Sequence, residues 1–341
     1  MKLLAAAALI AASAPAVPAA TPVAPAAPAR TVHLAGPGGC ASPGAPAVPG
    51  VPAVPASGHG RAGADARVRD PDSGARERNE LTPAQAATVE RDLADVLAGL
   101  GIGRRAGEHR SPEAEEQVRR AQVRIPVYFH VLHDGARGNV SNALIDRQIT
   151  VLNDTYGGRK GGADTGFSFE LKKVTRSDDA AWYSDPERHE AAFKPKLRQG
   201  GAGALNLYSA DLGKDLLGWS TFPWKYKGDP KKDGVVVHAG SMPGGSIEHF
   251  NLGYSAAHET GHWLGLYHTF QDGCGGAGDR VADTPDERDP TNGCPTGKDT
   301  CPSAGDDPVH NFMDYAWDSC MHEFTKGQGE RLHKVWAAYR R

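Results

Sequence analysis

The chain has 341 residues, with 38 Lys and Arg set against 41 Asp and Glu for a formal net charge of −3, and it carries 42 Gly and 25 Pro. That even balance gives no basic field of the kind phosphates attract, which argues against nucleic acid and anionic membrane surfaces as partners. No apolar run reaches the roughly 20 residues of a membrane-spanning helix, and the length suits one medium domain with extra segments.

In chain order, Met1-Lys2 supplies a positive start, residues 3–12 an apolar run, and Ala14-Pro15-Ala16 or Pro18-Ala19-Ala20 a small-residue cleavage site. This order reads as a signal peptide over residues 1–20 and hence a secreted product. Eleven of the 25 prolines fall in the first 60 residues among Ala, Gly and Val, so residues 21–80 read as a low-complexity leader too poor in apolar bulk for a core. Thr82-Pro83-Ala84-Gln85 has the cap, first-turn proline and amide of a capping box, followed at helical spacing by Val89, Leu93, Val96, Leu97 and Leu100. A second helix is expected from Ser111-Pro112 to Arg119-Arg120, and residues 81–121 together read as a pro-segment.

The globular part starts near Gln122 with a strand over residues 123–131, rich in β-branched and aromatic side chains. Ser141-Asn142 opens a helix whose apolar positions Leu144, Ile145, Ile149 and Leu152 recur every three to four residues until Tyr156-Gly157-Gly158. Further strands are expected over residues 167–174, 204–208 and 234–238. A strand followed by a helix points to an α/β beginning.

The chemistry concentrates in His258-Glu259-Thr260-Gly261-His262-Trp263-Leu264-Gly265-Leu266-Tyr267-His268. On a helix, His258 and His262 leave the same face and can grip one ion, with Glu259 beside them. Gly265 can take the left-handed conformation that turns the chain sharply, so that His268 returns as a third ligand. Three imidazoles leave the fourth position of a tetrahedral zinc open for water, the arrangement of a catalytic site. The full H-E-x-x-H-x-x-G-x-x-H spacing also predicts a downstream Met-turn, which Asn311-Phe312-Met313-Asp314-Tyr315 supplies. Met313 would floor the imidazoles, and Tyr315 would bring a phenol near the metal.

On these residues the chain resembles a metzincin of the pappalysin family, the secreted zinc endopeptidases related to ulilysin, over residues 122–341. The likeness is carried by Ile125-Pro126-Val127-Tyr128-Phe129-His130-Val131, Asp233-Gly234-Val235-Val236-Val237, the zinc motif continued by Thr269-Phe270, Asp279-Arg280-Val281-Ala282-Asp283-Thr284-Pro285, and the stretch from Asn311 to Cys320-Met321. It implies an α+β fold with a twisted, mostly parallel sheet and an active-site helix in an N-terminal subdomain (122–265), and a small, irregular, disulfide-stapled C-terminal subdomain (266–341). It further implies the pairings Cys274 with Cys301 and Cys294 with Cys320, and a structural calcium ion at Asp279, Asp283, Thr284 and Asp286. Cysteine count alone leaves three connectivities open for four residues.

The activity implied is hydrolysis of protein or peptide substrates by a monomeric, secreted enzyme: Glu259 takes a proton from the water that zinc activates, and Tyr315 steadies the developing oxyanion. Residues 235–238 read as an edge strand on which an extended substrate could pair. Asp318, close behind the Met-turn, is a candidate acid for the Arg that some relatives favour just after the cut. Cys40, the odd cysteine in the leader, could latch a zymogen by ligating zinc, as a cysteine switch does in some metzincins, with cleavage near Arg110, Arg119 or Arg120. The competing reading is a secreted, non-catalytic module stabilised by zinc. The intact Glu259 speaks against it, since a structural site needs no base.

Overall fold

The computed structural model describes residues 67–68, 81–102 and 121–341. The expected signal peptide, most of the expected leader with Cys40, and the helix expected at 111–120 lie outside the described residues.

Among these, short strand β1 (Arg67–Val68) precedes helix α1 (Pro83–Gly99), which Thr82 opens with the expected capping box. Strand β2 (Val123–His133) is followed by helix α2 (Asn142–Tyr156), whose cap Ser141 accepts from the Leu144 amide and whose Ile145, Ile149, Leu152 and Tyr156 are buried. Strand β3 (Phe167–Asp178) leads through short helices α3 (Ala180–Ser184) and α4 (Pro186–Leu197) to β4 (Leu205–Ala210), β5 (Leu216–Ser220) and β6 (Val235–His238). Helix α5 (Tyr254–Leu264) carries the histidine motif, and α6 (Lys326–Tyr339), opened by a second capping box at Thr325, closes the chain.

The sheet order is β1-β5-β6-β4-β2-β3, parallel from β3 through β6 and antiparallel at β5 and β1. The expected edge strand at 235–238 is therefore corrected: β6 is interior, flanked by β4 and β5. Its Val235-Val236-Val237 run is fully buried, as suits a strand covered on both faces and bonded on both sides. The antiparallel edge belongs to β5, on which β1 then adds a further strand, with Arg67 opposite Gly218.

The main core joins Val127, Phe129, Leu207, Val235 and Val237 of the sheet to Ile145, Leu152 and Tyr156 of α2 and to Trp263 and Leu264 of α5. Every residue of α5 is buried. Tyr156 fastens α2 to it by donating its hydroxyl to the Ala257 carbonyl at 2.9 Å. Trp263 and Arg340 lock α5 to the chain end: the Arg340 guanidinium lies 3.9 Å over the Trp263 ring, bonds both Asp233 oxygens at 2.9 Å, and donates to the Trp263 carbonyl. Beyond α5 the chain is loop-rich as far as α6, and its two disulfides are Cys274–Cys301 and Cys294–Cys320. The result is the expected α+β arrangement, a mostly parallel sheet carrying the motif helix and a stapled irregular segment after it.

Candidate active site

Helix α5 ends at Gly265, whose φ of 106° lies in the left-handed region that a Cβ disfavours. The Leu266 amide bonds back to the Gly261 carbonyl at 2.9 Å, so the chain leaves the helix in a tight turn. That turn returns His268 to the face of α5 where His258 and His262 stand four residues apart. His262 Nε2 lies 3.1 Å from His258 Nε2 and 3.0 Å from His268 Nε2. Among the described residues, these three form the one group of His, Cys, Asp and Glu side chains close enough to share an ion.

The hydrogen bonds on the far sides of the rings test whether a cation fits. His258 Nδ1 is 2.7 Å from the Phe312 carbonyl and His262 Nδ1 is 2.8 Å from the Leu266 carbonyl. A carbonyl only accepts, so both Nδ1 atoms carry the proton and both Nε2 atoms present lone pairs. Nitrogen lone pairs aimed at one another about 3 Å apart repel unless a cation sits among them. At Zn–N lengths of about 2.0–2.1 Å the tetrahedral spacing is close to what the rings already have. The donor set thus fits zinc, with the outer partners of His258 and His262 in place.

Around this trio the Met-turn closes from below. Met313 is fully buried, and its backbone is fixed by the Asn311 side chain, which accepts from the Met313 amide and exchanges two 2.9 Å bonds with Gln328 of α6. The same turn presents the Phe312 carbonyl to His258. Tyr315 places its hydroxyl 3.4 Å from His268 Nε2, and His268 itself stacks on Phe270 with ring centroids 4.6 Å apart. Glu259 is wholly buried on α5, against strand β5. There Gly218 makes room: a Cβ at 218 would lie 2.7 Å from Glu259 Cγ.

The remaining expected residues divide. Asp279 and Thr284 come together, with the Thr284 hydroxyl donating to Asp279 Oδ1 at 2.7 Å. Burial pushes the Asp279 carboxyl up to about 7 against the Thr284 and Val281 hydrogen bonds, and its Oδ2 has no hydrogen-bond partner among the described residues. Asp283 instead turns toward the start of α6, accepting from Thr325 Oγ1 and the Gly327 amide at 2.8 Å each. Asp286 stands beside Gly278. Asp318 is buried, its Oδ2 accepting from the Leu252 amide at 2.8 Å.

Sequence reasoning missed several supports. Gly218 gave no signal because the short run Leu-Leu-Gly-Trp-Ser lacks alternation. Glu287 and Asp314, the latter within the Met-turn, form a buried acidic pair: burial, then the Asp314 charge, pushes Glu287 up to about 7, while Lys298 and the Thr269 hydroxyl bond it at 2.6 Å each. Asp314 accepts from the Thr291 and Tyr315 amides. Glu287 lies in no recognisable motif, and the Met-turn pattern that contains Asp314 assigns that acid no partner.

Comparison with known proteins now bears on this geometry. The family model Peptidase_M43, described as pregnancy-associated plasma protein-A, matches residues 223–337. Extracellular metalloprotease 1 of Coccidioides posadasii is 44% identical over 227 residues, covering 64% of this chain and 79% of that protein. The chain belongs to the pappalysin family of metzincin zinc metallopeptidases. An extracellular metalloprotease of Arthroderma benhamiae is 42% identical to this pappalysin, over 64% of this chain and 74% of the relative. Among solved structures, mature mirolysin of Tannerella forsythia in complex with a cleaved peptide is 30% identical, with a TM-score of 0.55, over 62% of this chain and 90% of its own. A promirolysin mutant from the same organism gives a TM-score of 0.60 at 27% identity, over 75% of this chain and 92% of its own. The family implies a catalytic zinc, and membership favours the hydrolase over the non-catalytic zinc module.

Proposed function

We propose that this pappalysin is a secreted endopeptidase in which His258, His262 and His268 hold zinc, Glu259 is the general base and Tyr315 the oxyanion donor. The observation that carries it is the convergence of three imidazole nitrogens, two with their tautomer set by backbone carbonyls, beside a buried carboxylate. Zinc, when bound, supplies the Lewis acidity that brings a water to nucleophilic strength near neutral pH. Glu259 removes the proton from that water and delivers it to the leaving amine. Tyr315 donates to the carbonyl oxygen as it gains charge, a contribution of roughly 2.7–4 kcal/mol for one such donor. Met313 gives the imidazoles an apolar floor.

An extended peptide would lie along β5 by strand pairing, the position that residues 67–68 hold here. The leader must leave that edge before a substrate can take it. Asp318, buried behind the Met-turn, would serve as the acid for a basic side chain just after the cut. Of the expected calcium ligands Asp279, Asp283, Thr284 and Asp286, only Asp279 and Thr284 come together, and a calcium ion there would rest on the unpartnered Asp279 oxygen, with Asp283 engaged at the start of α6. The precursor would comprise a signal peptide (1–20), a leader (21–80) with Cys40 as a thiolate latch, a pro-segment (81–121) and a monomeric catalytic domain (122–341) acting on proteins or peptides. Among the described residues no helix is long and apolar enough to cross a membrane.

The test is cleavage of a denatured, unstructured protein by the secreted product, beside Glu259→Ala and a chelated sample with zinc restored. Internal cuts that vanish in Glu259→Ala and return with zinc are expected. One equivalent of zinc with no cleavage after processing would overturn the proposal.

A further inference from the structure

Behind the turn that carries His268 lies an ion pair that the reaction does not use. Arg331 of α6 forms a two-pronged bond with Glu90 of α1, at 2.6 Å to Oε1 and 3.1 Å to Oε2. Their side chains are 7% and 25% exposed. The same Arg331 donates through Nε to the Gly265 carbonyl at 3.0 Å, and its guanidinium lies 4.5 Å over the ring of Tyr267. Tyr267 in turn donates its hydroxyl to Glu90 Oε1 at 2.9 Å. One carboxylate, 177 residues before Tyr267 in the chain, thereby ties both Gly265 and Tyr267, the residues that flank the exit of α5 just before His268.

Apolar packing follows the same path. Ala86 of α1 joins Phe222 and Tyr267 in one cluster, and Phe222 stands edge-on to His262 with centroids 5.5 Å apart. Leu93 and Leu97 pack with Val335 and Ala337 of α6, and Gln271 donates to the Leu81 carbonyl at the mouth of α1. Helix α1 thus backs two of the three imidazoles, although its sequence position falls in the segment read as removable.

We infer that Glu90, acting through Arg331 and Tyr267, is a positioning residue that holds the Gly265–His268 turn in its zinc-binding geometry, so that α1 works as a strut of the metal site in the full chain. The inference rests on the three imidazoles being the zinc site. Arg331 cannot be left buried without a counter-charge, so the fork to Glu90 fixes the guanidinium, and the fixed guanidinium fixes the turn. Groups bonded directly to metal ligands alter metal affinity by about 10–100-fold, and Glu90, acting one contact further out, is set against the lower end of that range.

The test uses the full chain loaded with zinc and follows zinc transfer to a chromophoric chelator, with the melting temperature of the metal-free protein as a control of the fold. Glu90→Gln keeps the shape and removes the charge, and should speed zinc release about tenfold or more; Tyr267→Phe, which loses one hydroxyl bond, should speed it severalfold. Glu90→Gln combined with Arg331→Met removes the uncompensated buried charge, so the metal-free melting temperature should recover while zinc release stays fast. A purely structural role for the pair predicts that the double variant releases zinc as slowly as the wild type, and that result would overturn the inference, as would unchanged release in Glu90→Gln and Tyr267→Phe. Wild-type protein that holds zinc but cleaves nothing would count against the protease reading alone.

Discussion

Gly218 on β5 faces Glu259 on α5 so closely that a Cβ at position 218 would stand 2.7 Å from Glu259 Cγ, 3.1 Å from Oε1 and 3.0 Å from the Val236 carbonyl. Both backbone and carboxylate block the added methyl, and the buried carboxylate has little free space. Gly218→Ala should therefore push the Glu259 side chain off its position by a fraction of an ångström to an ångström. Misplacement on that scale costs up to about 100-fold in rate. The expected result is kcat lowered by roughly 10–100-fold with one zinc still bound, measured by steady-state kinetics beside metal analysis. Wild-type kcat in the variant would show that the contact is slack.

A second close approach joins Gly261, inside the zinc motif, to the Met313 sulfur, which occupies the space a Cβ on Gly261 would need. Gly261→Ala should lift α5 from the Met-turn. Because the Phe312 carbonyl in that turn holds His258 Nδ1, loss of the packing should weaken zinc retention as well as the fold. Overpacking of this kind costs about 1–3 kcal/mol. Chemical denaturation of the metal-free variant and its zinc affinity by competition should both shift; a change in neither would remove Met313 from the role of floor.

Legibility in the sequence followed the reach of each signal. The motif on α5, the turn at Gly265, the capping box at Thr82 and the periodic face of α2 are local patterns, and the structure carries them in the expected places. The disulfide pairings came by resemblance, since spacing permits three connectivities. Helix α6 and strand β5 went unseen: α6 has two glycines and a mixed apolar face, and β5 is five residues with a glycine at its centre. Partner choices made in three dimensions were invisible for the same reason. Nothing near Glu90 announces Arg331, and nothing near Asp233 announces Arg340. The run Val235-Val236-Val237 was recognisable as a strand, but its place between β4 and β5 depended on a neighbour that the pattern did not reveal.

The pair of Asp233 and Arg340 makes a stability prediction. Both are fully buried, and Asp233 also accepts from Trp263 Nε1 at 3.1–3.2 Å. Arg340→Met removes the main counter-charge and leaves an under-compensated carboxylate beside α5, at a cost of about 3–5 kcal/mol. Asp233→Asn added to Arg340→Met should recover part of that loss. Urea midpoints for the two variants provide the check, and equal midpoints would place the loss in packing around Trp263 instead.

His130, in the middle of β2, predicts an acid limb. Burial drives its imidazole from the ordinary 6.5 down to about 4, partly opposed by the hydrogen bond with Asn206, whose Oδ1 is 3.0 Å from Nε2. Between those two values the unfolded chain binds a proton that the folded chain refuses, so stability rises with pH across this window. The contribution is fully present above about 6.5 and is lost as pH falls toward 4, at up to about 1.4 kcal/mol per pH unit for one group. His130→Gln should flatten the stability profile between pH 4 and 6.5 relative to the wild type. Parallel profiles would assign the acid limb elsewhere.

Asp279 titrates in the opposite sense and couples to calcium. Its carboxyl is raised by burial from 3.8 to about 7, so between those values the folded chain holds a proton that the unfolded chain has lost, and the associated stability disappears as pH rises through about 7. A calcium ion needs the ionised carboxylate, so binding must expel that proton and should tighten as pH climbs to about 7, then level off. Stabilisation by calcium at about 100 times its dissociation constant amounts to roughly 2.7 kcal/mol, or about 5–10 °C in a domain of this size. The melting temperature should therefore rise with calcium by more at pH 8 than at pH 6, and Asp279→Asn should abolish the difference while stabilising the calcium-free protein at pH 8. Equal shifts at the two pH values, or a shift that survives in Asp279→Asn, would move the cation away from this carboxylate.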